Sequence, residues 1–193
     1  SLKASYGTFN SKNLDVGLNR NINKNLSLQT LFQYKDGDGH RFNSQFSQHN
    51  LYLKLNKPDS NLTTSLIVNQ SYTGQPGFDR LERPSLIGYR LTNRDSVYLQ
   101  FFKRFKFKNN QDLDYSFSVN HFYTHYQDRN DVPDSEIEPE NFYNDISVNT
   151  RIEYQWLIND NLYFLAGDDI IFEQSEISVF NETFENPWQV THG

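Results

Sequence analysis

LSLQTLFQYKDGDGHRFNSQFSQHNLYLKL, residues 26–55, is the stretch whose reading decides the fold. Its first arm sets Leu26, Leu28, Thr30, Phe32 and Tyr34 on one face of an extended strand and Ser27, Gln29, Gln33 and Lys35 on the other, a period of two. The second arm repeats the pattern, with His49, Leu51, Leu53 and Leu55 against Asn50, Tyr52, Lys54 and Asn56. A polar, Gly-rich segment of about a dozen residues joins the arms into a hairpin. The sequence on either side copies this plan.

Soluble sandwiches and membrane barrels both alternate, so the question is what the apolar face meets. A sandwich turns that face into a shared core, whereas an outer-membrane barrel turns it to lipid and its polar face to the lumen. Three features point to lipid. The apolar arms run about nine to eleven residues, the length of a tilted strand that crosses a bilayer, against about five or six in soluble sheets. Aromatic residues make up 16% of the chain, with Tyr and Phe far ahead of Trp, and many fall at strand ends, where barrels carry aromatic girdles. Short and long connections alternate, as tight periplasmic turns and external loops require.

Composition agrees. Only 36% of the 193 residues are hydrophobic, which is low for a chain that must fill a globular core. There is no Cys, hence neither a disulfide frame nor a thiolate metal site. No run approaches the roughly twenty apolar residues of a membrane helix, and no secretory signal opens the sequence. The net charge of −6 argues against a nucleic-acid partner.

In chain order, residues 1–8 read as a short strand with Leu2, Ala4 and Tyr6 on the apolar face. Leu14, Val16 and Leu18 follow on the next strand, and residues 21–25 form a tight turn. After the central hairpin, LysProAspSerAsn at 57–61 is a second tight turn, where Pro58 owes no ladder hydrogen bond. Leu62, Thr64, Leu66 and Val68 alternate with Thr63, Ser65 and Asn69, Ile67 being the exception. Residues 73–95, rich in Gly, Pro and Arg, are expected to be a long external loop with a short strand near 86–91. The strand 96–107 carries Lys103 on the parity of Val97, Leu99, Phe101 and Phe105, which calls for a bulge or a snorkelling lysine. A turn at 108–112, a strand through Leu113, Tyr115, Phe117 and Val119, and an acidic external loop at 127–144 come next. Ile146, Val148, Thr150, Ile152, Tyr154 and Trp156 then give the cleanest alternation in the chain. A turn at 159–161 leads to a strand over 162–176, with Asp168 and Asp169 one on each face, and to a further loop.

The expected fold is therefore all-β: an antiparallel up-and-down transmembrane β-barrel, represented by about nine consecutive strands. Single-chain bacterial barrels close with an even number, so residues 1–193 are expected to be one partial barrel domain, a piece of a larger barrel. Leu28, Phe32, Leu51, Leu66, Phe117, Val148, Ile152 and Tyr154 should share its outward face.

The run FQYKDGDGHRFNSQFSQHNLYLKLN at 32–56, preceded by SLKASYGTFNSKNLDVGLNRNINKNLSL at 1–28, resembles the opening barrel strands of TonB-dependent outer-membrane receptors. GlyGlnProGly at 74–77 resembles an external-loop element of that family, and residues 165–173 a later strand with an apolar-Gly-acidic core. The resemblance implies a barrel of about 22 strands behind an N-terminal plug with a TonB box. It implies active uptake of a scarce nutrient, such as a ferric siderophore, cobalamin or glycan, across a Gram-negative outer membrane. The implied partners are the lipid bilayer and lipopolysaccharide, the TonB complex through the plug, and the nutrient itself. No cofactor and no enzymatic activity are implied.

Candidate site residues concentrate in the external loops 36–46, 73–95 and 127–144, because such loops carry specificity. Phe78, Arg80, Arg83, Tyr89, Arg90 and Arg94 form the principal set, suited to an anionic or aromatic-bearing chelate through charge-assisted hydrogen bonds and stacking. Contact of that loop with lipopolysaccharide phosphates is the competing reading. Asp36 and Asp38 have the spacing of a calcium loop but lack its distal acidic ligand, which favours a plain turn. Asp128, Asp131, Asp134 and Glu136 read as a solvated acidic loop before a metal site. His121 and His125 lie about 13 Å apart on a strand, too far to share an ion. Arg151 and Glu153, on the inward face, are expected to join the charge network of a lumen wall rather than bind substrate. A passive porin or structural barrel has the same strands, and a soluble sandwich or adhesin would differ in needing no detergent. An enzyme barrel needs a converging nucleophile, acid and base, and no such grouping stands out.

Overall fold

The computed structural model describes residues 1–40, 44–76, 88–108, 110–130, 140–160, 162–179 and 182–192. Ten strands follow one another: β1 Leu2–Tyr6, β2 Lys12–Asn23, β3 Leu26–Gly37, β4 Phe46–Lys57, β5 Leu62–Pro76, β6 Gly88–Phe107, β7 Gln111–Asn130, β8 Glu140–Asn159, β9 Leu162–Val179 and β10 Glu182–His192. Each pairs antiparallel with its neighbours in sequence, giving one up-and-down sheet in the order β1 to β10. No α-helix occurs among the described residues, and a single 3₁₀ turn, Pro58–Ser60, closes the β4–β5 connection. The sheet is open, with β1 and β10 at its edges.

Two expectations are corrected. The strand count is ten rather than about nine, because residues after 176 continue β9 and return as β10 instead of forming a loop. The alternation there is broken by a register shift between Asn186 and Gln189, around Pro187, which changes the phase that sequence reading depends on. The loops at 73–95 and 127–144 are also shorter than expected. β5 and β6 reach Pro76 and Gly88, and β7 and β8 reach Asn130 and Glu140. Ladder hydrogen bonds come from the backbone, so strands continue beyond the point where their apolar alternation stops.

The register sorts most side chains by face, although Phe102, Phe122, Leu165 and Ile171 fall on the polar face and Asp168 on the apolar one. One row across the sheet reads Leu18, Thr30, Leu53, Leu66, Leu99, Val119, Val148, Phe172 and Val190. Leu28, Phe32, Leu51, Phe117, Ile152 and Tyr154 lie on the same face as Leu66 and Val148, in neighbouring rows. None of these eight is buried. The opposite face is a lattice of polar side chains: Gln33 donates to Asp15 (3.1 Å), Asn50 to Gln33 (3.4 Å), Thr63 to Asn56 (3.1 Å) and Asn69 to Ser96 (3.1 Å). Ile67 sits on that polar face between Tyr52 and Tyr98, completing a short apolar row with Leu31.

Among the described residues, nothing covers the apolar face. Leu91 (8% exposed) is the one buried apolar side chain among the described residues, while Leu99 and Ile152 remain 39% and 48% exposed. The accessible surface of 13731 Å² exceeds the roughly 9,600 Å² of a compact monomer of 22.8 kDa. The described strands form a single layer, and its apolar side has no partner among the described residues.

Lys103 keeps the parity of its apolar neighbours, with an unbroken register to Leu62 and Tyr115, so no bulge rescues it. It snorkels instead. Its ammonium donates to the Ser60 carbonyl in the β4–β5 turn and lies 5.4 Å from the Phe105 ring centroid.

The four connections at one end of the sheet, at 24–25, 58–61, 108–110 and 160–161, are short, whereas the other end carries the three long ones, at 38–45, 77–87 and 131–139, together with the shorter 7–11 and 180–181. The short ones are staggered. Leu28 and Ile170 lie on one row, yet β3 opens two residues before Leu28, at Leu26, and β9 opens eight residues before Ile170, at Leu162.

Candidate functional site

β6 and β7 run antiparallel for their full length, and their ends near the long connections place Arg90, Thr92 and Arg94 beside Thr124 and Tyr126 on the polar face. Thr92 stands opposite Tyr126, and Arg94 opposite Thr124, which is in turn opposite Tyr143 of β8. Tyr126 is the centre of the group. The Arg90 guanidinium carbon lies 5.7 Å from the centre of its ring, Arg94 Nη2 donates to its hydroxyl at 3.5 Å, and the Tyr143 ring meets it edge-on at 5.8 Å. Thr92 and Thr124 are buried in the same patch (5% and 2% exposed), and the Oγ1 of each lacks a hydrogen-bond partner. Two guanidinium groups held on a tyrosine offer planar donor forks and an aromatic surface, the combination that takes carboxylate, catecholate or phosphate oxygens.

Of the expected site residues, Arg90 and Arg94 are brought together here. They are exposed strand residues rather than loop residues. Tyr89 belongs to β6, opposite Pro76 and Arg129, with its side chain outside the described residues. Phe78, Arg80 and Arg83 also lie outside them. Tyr126 and Tyr143 were not singled out in the sequence, although Thr124–Tyr126 and Arg90–Thr92–Arg94 continue the polar parity of their strands. That continuity was the available signal.

The remaining candidates separate. Lys12 Nζ lies 3.9 Å from Asp36, and the Asp38 amide donates to the Phe9 carbonyl at 3.0 Å. Asp131, Asp134 and Glu136 lie outside the described residues, and among those described no three His, Asp or Glu side chains converge as metal ligands. His121 contacts Asn144 (2.8 Å) and His125 contacts Glu140 (3.5 Å), each separately. Arg151 donates to Glu153 (2.6 Å), which also accepts from Gln155 (2.6 Å), and Asp169 stands opposite Arg151. Next to them, Arg104 grips Asp114 with two bonds of 2.6 Å, a cross-strand pair on the polar face.

Compared with protein-family models and with curated proteins, the chain gives no match.

Proposed function

We propose that this sheet is part of the wall of an outer-membrane β-barrel that captures a scarce nutrient at the surface of a Gram-negative cell and admits it by active transport energised through TonB. The observation that carries the reading is the uncovered apolar face, backed by a hydrogen-bonded polar face, in a single layer. An apolar surface of this extent needs a cover, and a bilayer supplies one to an up-and-down sheet.

Dimensions support it. From Ile146 to Trp156 the apolar residues of β8 cover ten residue steps, about 33 Å along the strand, or about 25 Å of bilayer at a tilt near 40°. The stagger of the short turns gives a second estimate: six residues of about 3.3 Å over six strand spacings of about 4.8 Å correspond to a tilt of about 35° when the turns lie level. Barrel strands tilt by about 35–45°.

With the short turns on the periplasmic side, the Arg90–Tyr126–Arg94 group stands on the lumen wall above the bilayer, where an anionic ferric chelate or similar nutrient arrives. The resemblance of residues 1–56 to the opening strands of TonB-dependent receptors supplies the energy coupling, through a plug preceding the barrel. A passive porin uses the same wall, and the two readings differ in their energy requirement. Uptake of a labelled ferric chelate by cells carrying the intact protein should cease when the proton-motive force is collapsed. Uptake that persists unchanged would replace the active receptor by a passive pore.

A further inference from the structure

The apolar face changes character one step beyond the row Leu51, Val68, Val97, towards the long connections. The next row on that face is His49, Gln70, Asp95 and Tyr123, supplied by four adjacent strands. The row after it carries Tyr72, Asn93 and His125. Together they line a shallow cleft of about 330 Å³, at the lower end of the usual size for small-molecule sites.

The chemistry of this cleft is specific. Among the described residues lining it there is no lysine or arginine, and the Asp95 carboxylate disfavours a phosphate or carboxylate ligand. Gln70, Asn93 and Asp95 make no side-chain hydrogen bond to other described residues, which leaves two amides and a carboxylate to serve a ligand. The two tyrosines are already oriented: Gln45 donates to the Tyr72 hydroxyl (3.3 Å), and the Tyr123 ring stacks near Phe142 (6.4 Å). Amide and carboxylate groups beside an aromatic ring fit a molecule with vicinal hydroxyls on one side and C–H bonds on the other.

We propose that this cleft binds a neutral sugar ring, either the headgroup of a glycolipid in the outer leaflet or a free oligosaccharide. It is a separate site from the arginine pair, which lies on the opposite face. The glycolipid source rests on the membrane reading, and the sugar chemistry does not.

The test uses the intact protein in detergent, titrated calorimetrically with maltose, lactose and mannobiose. In parallel, the protein is reconstituted into phosphatidylcholine vesicles with and without digalactosyldiacylglycerol, with fluorescence quenching by the glycolipid as readout. Saturable binding of at least one probe is expected, weakened about tenfold by Asp95→Ala and by Tyr123→Ala, and unchanged by Lys106→Ala at the far end of β6. Asp95→Asn and Tyr123→Leu replace those variants should either fail to fold. Binding confined to the vesicles assigns the glycolipid headgroup, and equal binding of the disaccharides assigns free sugar. No binding by folded protein, binding indifferent to both substitutions, or binding displaced by inorganic phosphate overturns the proposal. Protein that binds a disaccharide yet stays soluble without detergent refutes the membrane reading and leaves the sugar site standing.

Discussion

Tyr126 holds together what the candidate site has to offer, because its ring faces one guanidinium and its hydroxyl another. Tyr126→Phe keeps the ring contact with Arg90 and removes only the acceptor for Arg94. Tyr126→Ala removes both, and should weaken binding of an anionic chelate to cells by about tenfold, as expected for loss of about 1.4 kcal/mol. The Phe variant should lose less; equal losses would mean that the ring does not contribute. Gly167 is a second decisive residue. A β-carbon there would lie 2.8 Å from the Ile152 carbonyl oxygen, a backbone atom that cannot yield without moving β8. Gly167→Ala is expected to cost about 1–3 kcal/mol, read as a lower urea midpoint for the protein folded in lipid vesicles.

At the scale of the strand, β8 offers a controlled comparison, since Val148 and Asn149 are neighbours that face opposite ways. Val148→Arg should cost about 2–4 kcal/mol near the middle of the bilayer, and Asn149→Arg much less. Unfolding in vesicles measures both, and equal costs would contradict a lipid-facing Val148. On the polar face, Arg104 and Asp114 sit opposite each other on β6 and β7 and form two bonds. Arg104 is partly exposed, so Arg104→Ala should cost only about 1 kcal/mol, again read from unfolding in vesicles.

For the whole molecule, the uncovered apolar face predicts that the intact protein folds only in detergent or lipid. Unboiled and boiled samples should then migrate differently in denaturing gels, the folded form resisting the detergent. Folding in plain buffer with a single soluble species would point to a sandwich partner for this face instead.

Alternation alone made the all-β architecture, the two faces and the neighbour-to-neighbour pairing legible, because a strand's side chains have a period of two and a misregistered strand would turn its whole apolar set to the wrong side. The eight residues read as one face, from Leu28 to Tyr154, do share it. Strand ends escaped that signal, since β6, β7 and β8 continue past their apolar segments on backbone hydrogen bonds, and Arg90 and Arg94 accordingly looked like loop residues. β10 escaped it too, because the register shift near Pro187 interrupts the period. Which residues become neighbours across strands was decided only by the tertiary register. That register places Tyr126 between Arg90 and Arg94, turns Lys103 towards the Ser60 carbonyl, and gathers His49, Asp95 and Tyr123 into one row. Pairing distant segments fixes lateral contacts, and no local pattern encodes them.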